Sequence, residues 1–207
     1  MESQARGGTR WKRFAVVMVP SVAATAVIGV AVAQGALAAS FSVSGQQFKV
    51  KVKELDGRGF VQYGTLDTQH GGKKIPVAVS AFKSAKIESL CQSVVVPVPL
   101  FGDVTLRLEA GGDGRKVVAK NLFIDLDQLK ADAVFGNINI GVAAGDTSKG
   151  PTNDSNKKDP GSFGQEADTA LLTDVEQTAW ATNAGTFKLP GLSMKIYKGS
   201  GKGKECF

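Results

Sequence analysis

The chain has 207 residues, 43% of them hydrophobic and 21% charged, with a formal net charge of +6; this is the length of one ordinary domain with room for a targeting segment or tail. There is enough Val, Ile, Leu and Phe to exclude a disordered chain, and only one stretch is long and apolar enough to cross a bilayer, which excludes a multi-span transporter. Two Cys and one His exclude a disulfide-dense mini-protein and a Cys-built zinc module.

Arg6, Arg10, Lys12 and Arg13 precede an apolar run over residues 14–33, and Ala36-Leu37-Ala38 follows as a small-x-small pattern. The order is that of an export signal. It predicts a segment 1–38 that is either a signal peptide cleaved between Ala38 and Ala39, the preferred reading, or a retained signal anchor with an apolar helix over 14–33. Either way the cationic flank stays inside and the remainder is extracytoplasmic, secreted or anchored in the cytoplasmic membrane. Residues 1–38 carry four cations and one anion, about half of the net charge. No basic block interleaved with aromatics remains in the body, which argues against nucleic acid as a partner.

Residues 39–207 read as one mainly-β domain of two packed or rolled sheets, a β-sandwich or β-roll, with a β-solenoid as the alternative. Phe48/Val50/Val52, Val104/Leu106/Leu108 and Leu122/Ile124/Leu126 alternate with polar residues, the period of a half-buried strand. Glycines punctuate the pattern at Asp56-Gly57-Arg58-Gly59, His70-Gly71-Gly72, Gly111-Gly112-Asp113-Gly114 and residues 141–145. The third of these predicts a hairpin between residues 104–108 and 116–118. Residues 94–99, with Pro97 and Pro99, predict an edge strand or an extended crossing, because proline cannot donate to a ladder. Helix signals occur only over 78–90 and 167–181, and predict one short helix at most, around 169–178. The polar stretch 145–164 predicts an exposed flexible loop. The tail lysines Lys195, Lys198, Lys202 and Lys204 are spaced by Gly and Ser, which predicts first a solvated, flexible end and, as the second reading, a weak contact with anionic lipid or polymer.

Two internal echoes stand out. Phe41-x-Val43-x-Gly45-x-x-Phe48-Lys49-Val50 resembles Phe187-x-Leu189-x-Gly191-x-x-Met194-Lys195-Ile196, and Ala85-x-Ile87-x-x-Leu90-x-Gln92-Ser93 resembles Ala170-x-Leu172-x-x-Val175-x-Gln177-Thr178. They occur in opposite order, so they are not a tandem repeat. Equivalent strands in a pseudo-symmetric sheet would produce them.

Chemistry is sparse. No serine lies in a GxSxG nucleophile elbow, and His70, in a turn-like DTQHGGKK stretch, is the lone imidazole and a weak catalytic candidate. Asp125 and Asp127 share a strand face opposite Leu122, Ile124 and Leu126, which marks them as the wet side of an amphipathic strand rather than an acid/base pair. No phosphate-cradling or dinucleotide motif occurs and no metal-ligand set is apparent, so neither a cofactor nor a metal is expected. Cys91 and Cys206 are the only cysteines. In an exported chain an even count predicts a disulfide, here Cys91 to Cys206, a pairing that could be made within one chain or between two. Eleven Phe stand against two Tyr and two Trp, which favours a dry β core or an apolar surface offered to a lipid.

Gly59-Phe60-x-Gln62-Tyr63, Leu90-Cys91-Gln92-Ser93, Ala119-x-Asn121-Leu122, Gly136-Asn137-Ile138-x-Ile140-Gly141 and the closing Glu205-Cys206, with the long Ala/Val-rich start, resemble a family of uncharacterised exported, membrane-associated actinobacterial proteins. Its members often carry the label "cholesterol esterase". The resemblance runs over nearly the whole chain; it implies an envelope location and a two-cysteine framework, and transfers no catalytic residue. The expected function is a non-catalytic cell-envelope protein, structural or lipid-binding. Its expected partner is lipid or a small membrane protein, and its exposed strands offer a route to homo-oligomers. The alternative is a lipid or sterol ester hydrolase with His70 as base.

Overall fold

The computed structural model describes residues 44–152 and 158–207. The apolar helix expected over 14–33 and the cleavage between Ala38 and Ala39 lie outside the described residues.

Among the described residues, seven strands form one antiparallel sheet: β1 (Phe48–Thr68), β2 (Lys74–Glu88), β3 (Leu90–Val98), β4 (Gly102–Ala110), β5 (Val117–Ala143), β6 (Phe163–Lys188) and β7 (Ser193–Lys198). The mainly-β expectation holds, with one continuous sheet in place of two, and antiparallel ladders in place of the stacked parallel rungs of a solenoid. The strand order is β2-β5-β6-β1-β3-β4-β7, and β2 pairs with β1 as well. The sheet is therefore rolled: β1, β2, β5 and β6 wrap a shared core, while β3, β4 and β7 run out as a wing. It is not a barrel.

Bulges make the roll. The β5–β6 ladder shifts register between Asp125 and Leu126, Leu126 and Gln128, Lys130 and Asp132, and Ile140 and Val142. Each shift bends and twists the pair locally. The first part of β5 thereby meets β2, and the first part of β6 meets β1.

These bulges also explain the mistaken helix. Residues 169–178 lie inside β6 and residues 78–88 inside β2. In β6 the buried positions Ala167, Ala170, Leu172, Val175 and Ala179 are spaced by three, two, three and four. Asp174, at φ 50, breaks the strict alternation of a strand and leaves spacings that mimic a helical stripe. The hairpin expected at Gly111–Gly114 is also corrected. β4 pairs with β3 and β7, β5 with β2 and β6, so these glycines carry a crossover between strands that do not pair with each other. Asp56-Gly57-Arg58-Gly59 and Gly141 interrupt no strand; β1 and β5 run through them. Around Pro97 the expected edge is real, because β1 begins opposite Val94 and leaves the rest of β3 paired on the β4 side alone.

The second echo is a statement about register. Gly57 of β1 faces Ala85 on one side and Ala170 on the other; Leu55 faces Ile87 and Leu172; Val50 faces Gln92 and Gln177; Lys49 faces Ser93 and Thr178. Ser89 and Asp174, equivalent in the echo, both take a left-handed φ, 55 and 50 respectively. The matching segments thus flank β1 symmetrically. In the described part of the first echo, Phe48-Lys49-Val50 and Met194-Lys195-Ile196 flank the β3–β4 pair from either side, pairing with β3 and β4 respectively.

Two apolar clusters result. One fills the roll, with Val50, Val52, Leu55, Phe60, Phe82, Ile87, Leu122, Leu126, Leu172 and Val175. Alternate residues of the same strands, Val61, Tyr63, Val77, Val79, Phe123 and Ala181, build the other, with Ala144 from the β5–β6 connection. That connection, expected as a flexible excursion over 145–164, is pinned where it is described. Gly150 and Pro151 are buried, and a Cβ on Gly150 would stand 2.3 Å from Val61 Cγ1.

Glu166 of β6 holds the connection. Its carboxylate, 4% exposed, accepts the backbone N–H groups of Ser148 at 2.7 Å and Lys149 at 2.9 Å and the Asn139 side-chain amide at 3.2 Å. Burial pushes its pKa up, but the Lys149 and Ser148 N–H groups and Asn139 outweigh burial and hold it below the ordinary glutamate value. A depressed carboxyl pKa stabilises the fold fully above the unfolded value, about 4.3, and that stabilisation is lost as pH falls through the folded value. Glu166→Gln should therefore cost about 1–3 kcal/mol at neutral pH. The gap in Tm between variant and wild type should narrow as the pH is lowered below the ordinary glutamate value and through the depressed folded one, as differential scanning calorimetry would read.

Candidate functional site

His70 sits in the β1–β2 turn, closed by Gln69 N–H to Lys73 O at 2.8 Å and Gly72 N–H to Gln69 O at 2.9 Å. It is exposed, and among the described residues no hydrogen bond or ion pair orients it. Gly71 and Gly72 at φ 96 and 88 explain the turn without reference to catalysis.

Asp125 and Asp127 do not share a wet face. Asp127 is exposed, whereas Asp125 is 4% exposed, because β5 is buried on both faces where it passes between β2 and β6. Asp125 instead comes beside Asp67 of β1, and the two carboxyl groups interact. Burial pushes the Asp67 pKa above the usual aspartate range, and the interaction with Asp125 draws it partly back. Sequence reasoning missed this pair because Asp67 comes from a distant strand and carries no local signal.

Cys91 and Cys206 stand at disulfide distance, with Cα atoms 5.8 Å apart and 115 residues between them in sequence. They fasten the C-terminal segment, expected as a loose end, to one face of the wing. Cys206 N–H donates to Ser93 Oγ at 3.1 Å, Arg107 to Gly203 O at 3.4 Å and Thr105 Oγ1 to Gly199 O at 2.7 Å. Lys49 Nζ reaches Glu205 at 2.8 Å and Phe207 O at 2.9 Å. All of this decorates the face carrying the row Lys49, Ser93, Arg107 and Lys195.

The opposite face is apolar. Phe48, Val94, Leu106 and Ile196 align across β1, β3, β4 and β7, with Val50, Gln92, Leu108 and Met194 in the next row on that face. Its outer part is bare: Ile196 is 74% exposed and Met194 62%. Towards the roll it meets a groove of about 410 Å³ lined by Phe48, Gln92, Thr182, Asn183, Ala184 and Phe187. That volume falls in the range of small-molecule clefts, and the lining is mixed, with Phe48, Ala184 and Phe187 set against the amides of Gln92 and Asn183 and the hydroxyl of Thr182. A cavity inside the roll, lined by Phe60, Gln62, Ser80, Phe82 and Phe135 among others, offers only about 40 Å³, room for water and not for an acyl chain. Antiparallel pairing brings the start of β1, the β3–β4 turn and the end of β7 to one end of the wing.

Residues 44–207 match the model of a protein family described as a family of unknown function, DUF6230. The chain matches no curated protein and no solved structure.

Proposed function

Since the chain belongs to the DUF6230 family of unknown function over residues 44–207, we propose from its surface that it is a non-catalytic cell-envelope protein, exported across or anchored in the cytoplasmic membrane, whose wing binds lipid. One observation carries the reading: a domain that buries both faces of its rolled strands leaves the apolar face of its wing uncovered beside a groove of ligand size. An exposed apolar surface of this kind marks a site of interaction. The cationic and apolar start of the chain supports a membrane setting, and the filled roll directs a lipid to the wing rather than the interior.

Native mass spectrometry of the full chain purified from membranes tests this. Co-purifying lipid is expected, with its amount reduced by Met194→Ser combined with Ile196→Ser, and no ester turnover. Turnover of short- and long-chain esters that His70→Ala abolishes at unchanged Tm would replace this reading with a hydrolase.

A further inference from the structure

We propose that the β3–β4 turn is a wedge that enters the apolar layer of an anionic bilayer, with the neighbouring lysines resting on its headgroups; this rests on the lipid-binding reading and names the surface that the wing addresses. Val98, Pro99, Leu100 and Phe101 form a tight turn, closed by Phe101 N–H to Val98 O at 3.1 Å. Leu100 adopts φ 70, at the third turn position, where glycine or asparagine is the usual residue. A branched, bulky side chain there strains the backbone. The strain brings no packing in return, for Leu100 is 104% and Phe101 72% exposed. Two large apolar side chains at a protruding turn, one held at a conformational cost, point to contact with something outside this domain.

Three features identify a bilayer as that partner. β3 runs on past Val94, the residue opposite the first residue of β1, so the turn projects at the end where the chain enters the domain. The apolar run over 14–33, long enough to span a membrane where it is retained as an anchor, precedes that entry by the fourteen residues 34–47, a reach of about 46–50 Å when extended. β7 ends at Lys198 at this same end. The segment after it is tied beside the turn by Gly199 N–H to Asp103 O at 2.6 Å and Ser200 Oγ to Asp103 at 3.0 Å. Lys198 and Lys202 are exposed there and Lys204 is half-buried. An apolar tip flanked by lysines complements the acyl layer and the anionic headgroups of a bilayer together.

The test reconstitutes the full chain with vesicles of phosphatidylcholine, with or without phosphatidylglycerol, containing lipid brominated along the acyl chain. Phe101→Trp reports from the turn, and Leu66→Trp from the far end of β1, where Leu66 is also exposed. Relative to the unaltered protein, the added Phe101→Trp emission should shift to the blue and lose about half its intensity, more so with phosphatidylglycerol, as expected for an aromatic ring at the acyl boundary; Leu66→Trp should do neither. Leu100→Gly should raise Tm, since glycine accepts this φ, and yet reduce quenching of the Phe101→Trp reporter. A leucine retained for the fold would instead lower Tm when replaced. Equal quenching at both positions, or none at Phe101→Trp, overturns the inference. If lipid still co-purifies in that case, the lipid-binding reading stands and only the wedge falls.

Discussion

Replacing both members of the pair, Cys91→Ser with Cys206→Ser, should cost about 4–5 kcal/mol at the upper limit, because the link closes a loop spanning 115 residues and removes that freedom from the unfolded chain. For a domain of this size the loss corresponds to a fall in Tm of roughly 10–20 °C. Chemical denaturation of the non-reduced and reduced protein would read it. The expected damage is directional. The tail ties the Lys49, Ser93 and Arg107 face, while the apolar face of the wing depends on the β3–β4 and β4–β7 ladders. The double variant should therefore retain lipid below its lowered Tm. A variant whose Tm matches wild type would show that the tail holds by its ion pairs and hydrogen bonds alone.

Gly57→Val is expected to be comparably severe. Gly57 lies in β1 between Ala85 and Ala170, and an added Cβ would stand 2.4 Å from Cδ1 of Phe82. The Phe82 ring cannot easily yield. It is 1% exposed and stacks at 5.3 Å on Phe60, which itself stacks at 5.3 Å on Phe135. Overpacking of this kind costs about 1–3 kcal/mol for a methyl group and more for a branched side chain. Gly57→Ala should lose stability within that range, and Gly57→Val should leave little folded protein at 37 °C. Gly64→Ala serves as the control, since nothing lies within 4 Å of its added Cβ; its urea midpoint should stay close to wild type.

Much of the architecture was legible because strands with a clean period of two announce themselves: Val104/Leu106/Leu108 is β4, and His70-Gly71-Gly72 is a true hairpin turn. Legibility failed where the backbone leaves its regular conformation. Asp174 in β6 and Asn137 in β5, both left-handed, are ordinary residues in sequence, yet each departs from the regular strand conformation, and Asp174 makes β6 look helical. Gly111–Gly114 has the composition of a hairpin, and composition does not say which strands its flanks will join. Asp125 was misplaced for a related reason: a period of two assigns it to the face opposite Leu122, but not whether that face is wet. The second cluster over β1 and β2 makes it dry. At the candidate site, the apolar members of the wing were visible as strand residues. That their face would remain uncovered depends on Cys206 carrying the tail to the other face, which no local pattern encodes.

The doubled register around β1 bears on how the chain reaches this arrangement. β2 follows β1 after a short turn, so closing that ladder costs little loop entropy, whereas β6 reaches the other edge only after some hundred intervening residues. β1 is thus a template with two edges of equal register, occupied in order of chain separation: the near strand first, the distant one on what remains. Because Ala85–Ser93 and Ala170–Thr178 can each satisfy the same positions of β1, early arrival of the near segment is what keeps the two from exchanging edges. A circular permutant opened in the 69–73 turn would remove that head start, and its refolding should slow and divide into parallel phases while its native sheet stays the same.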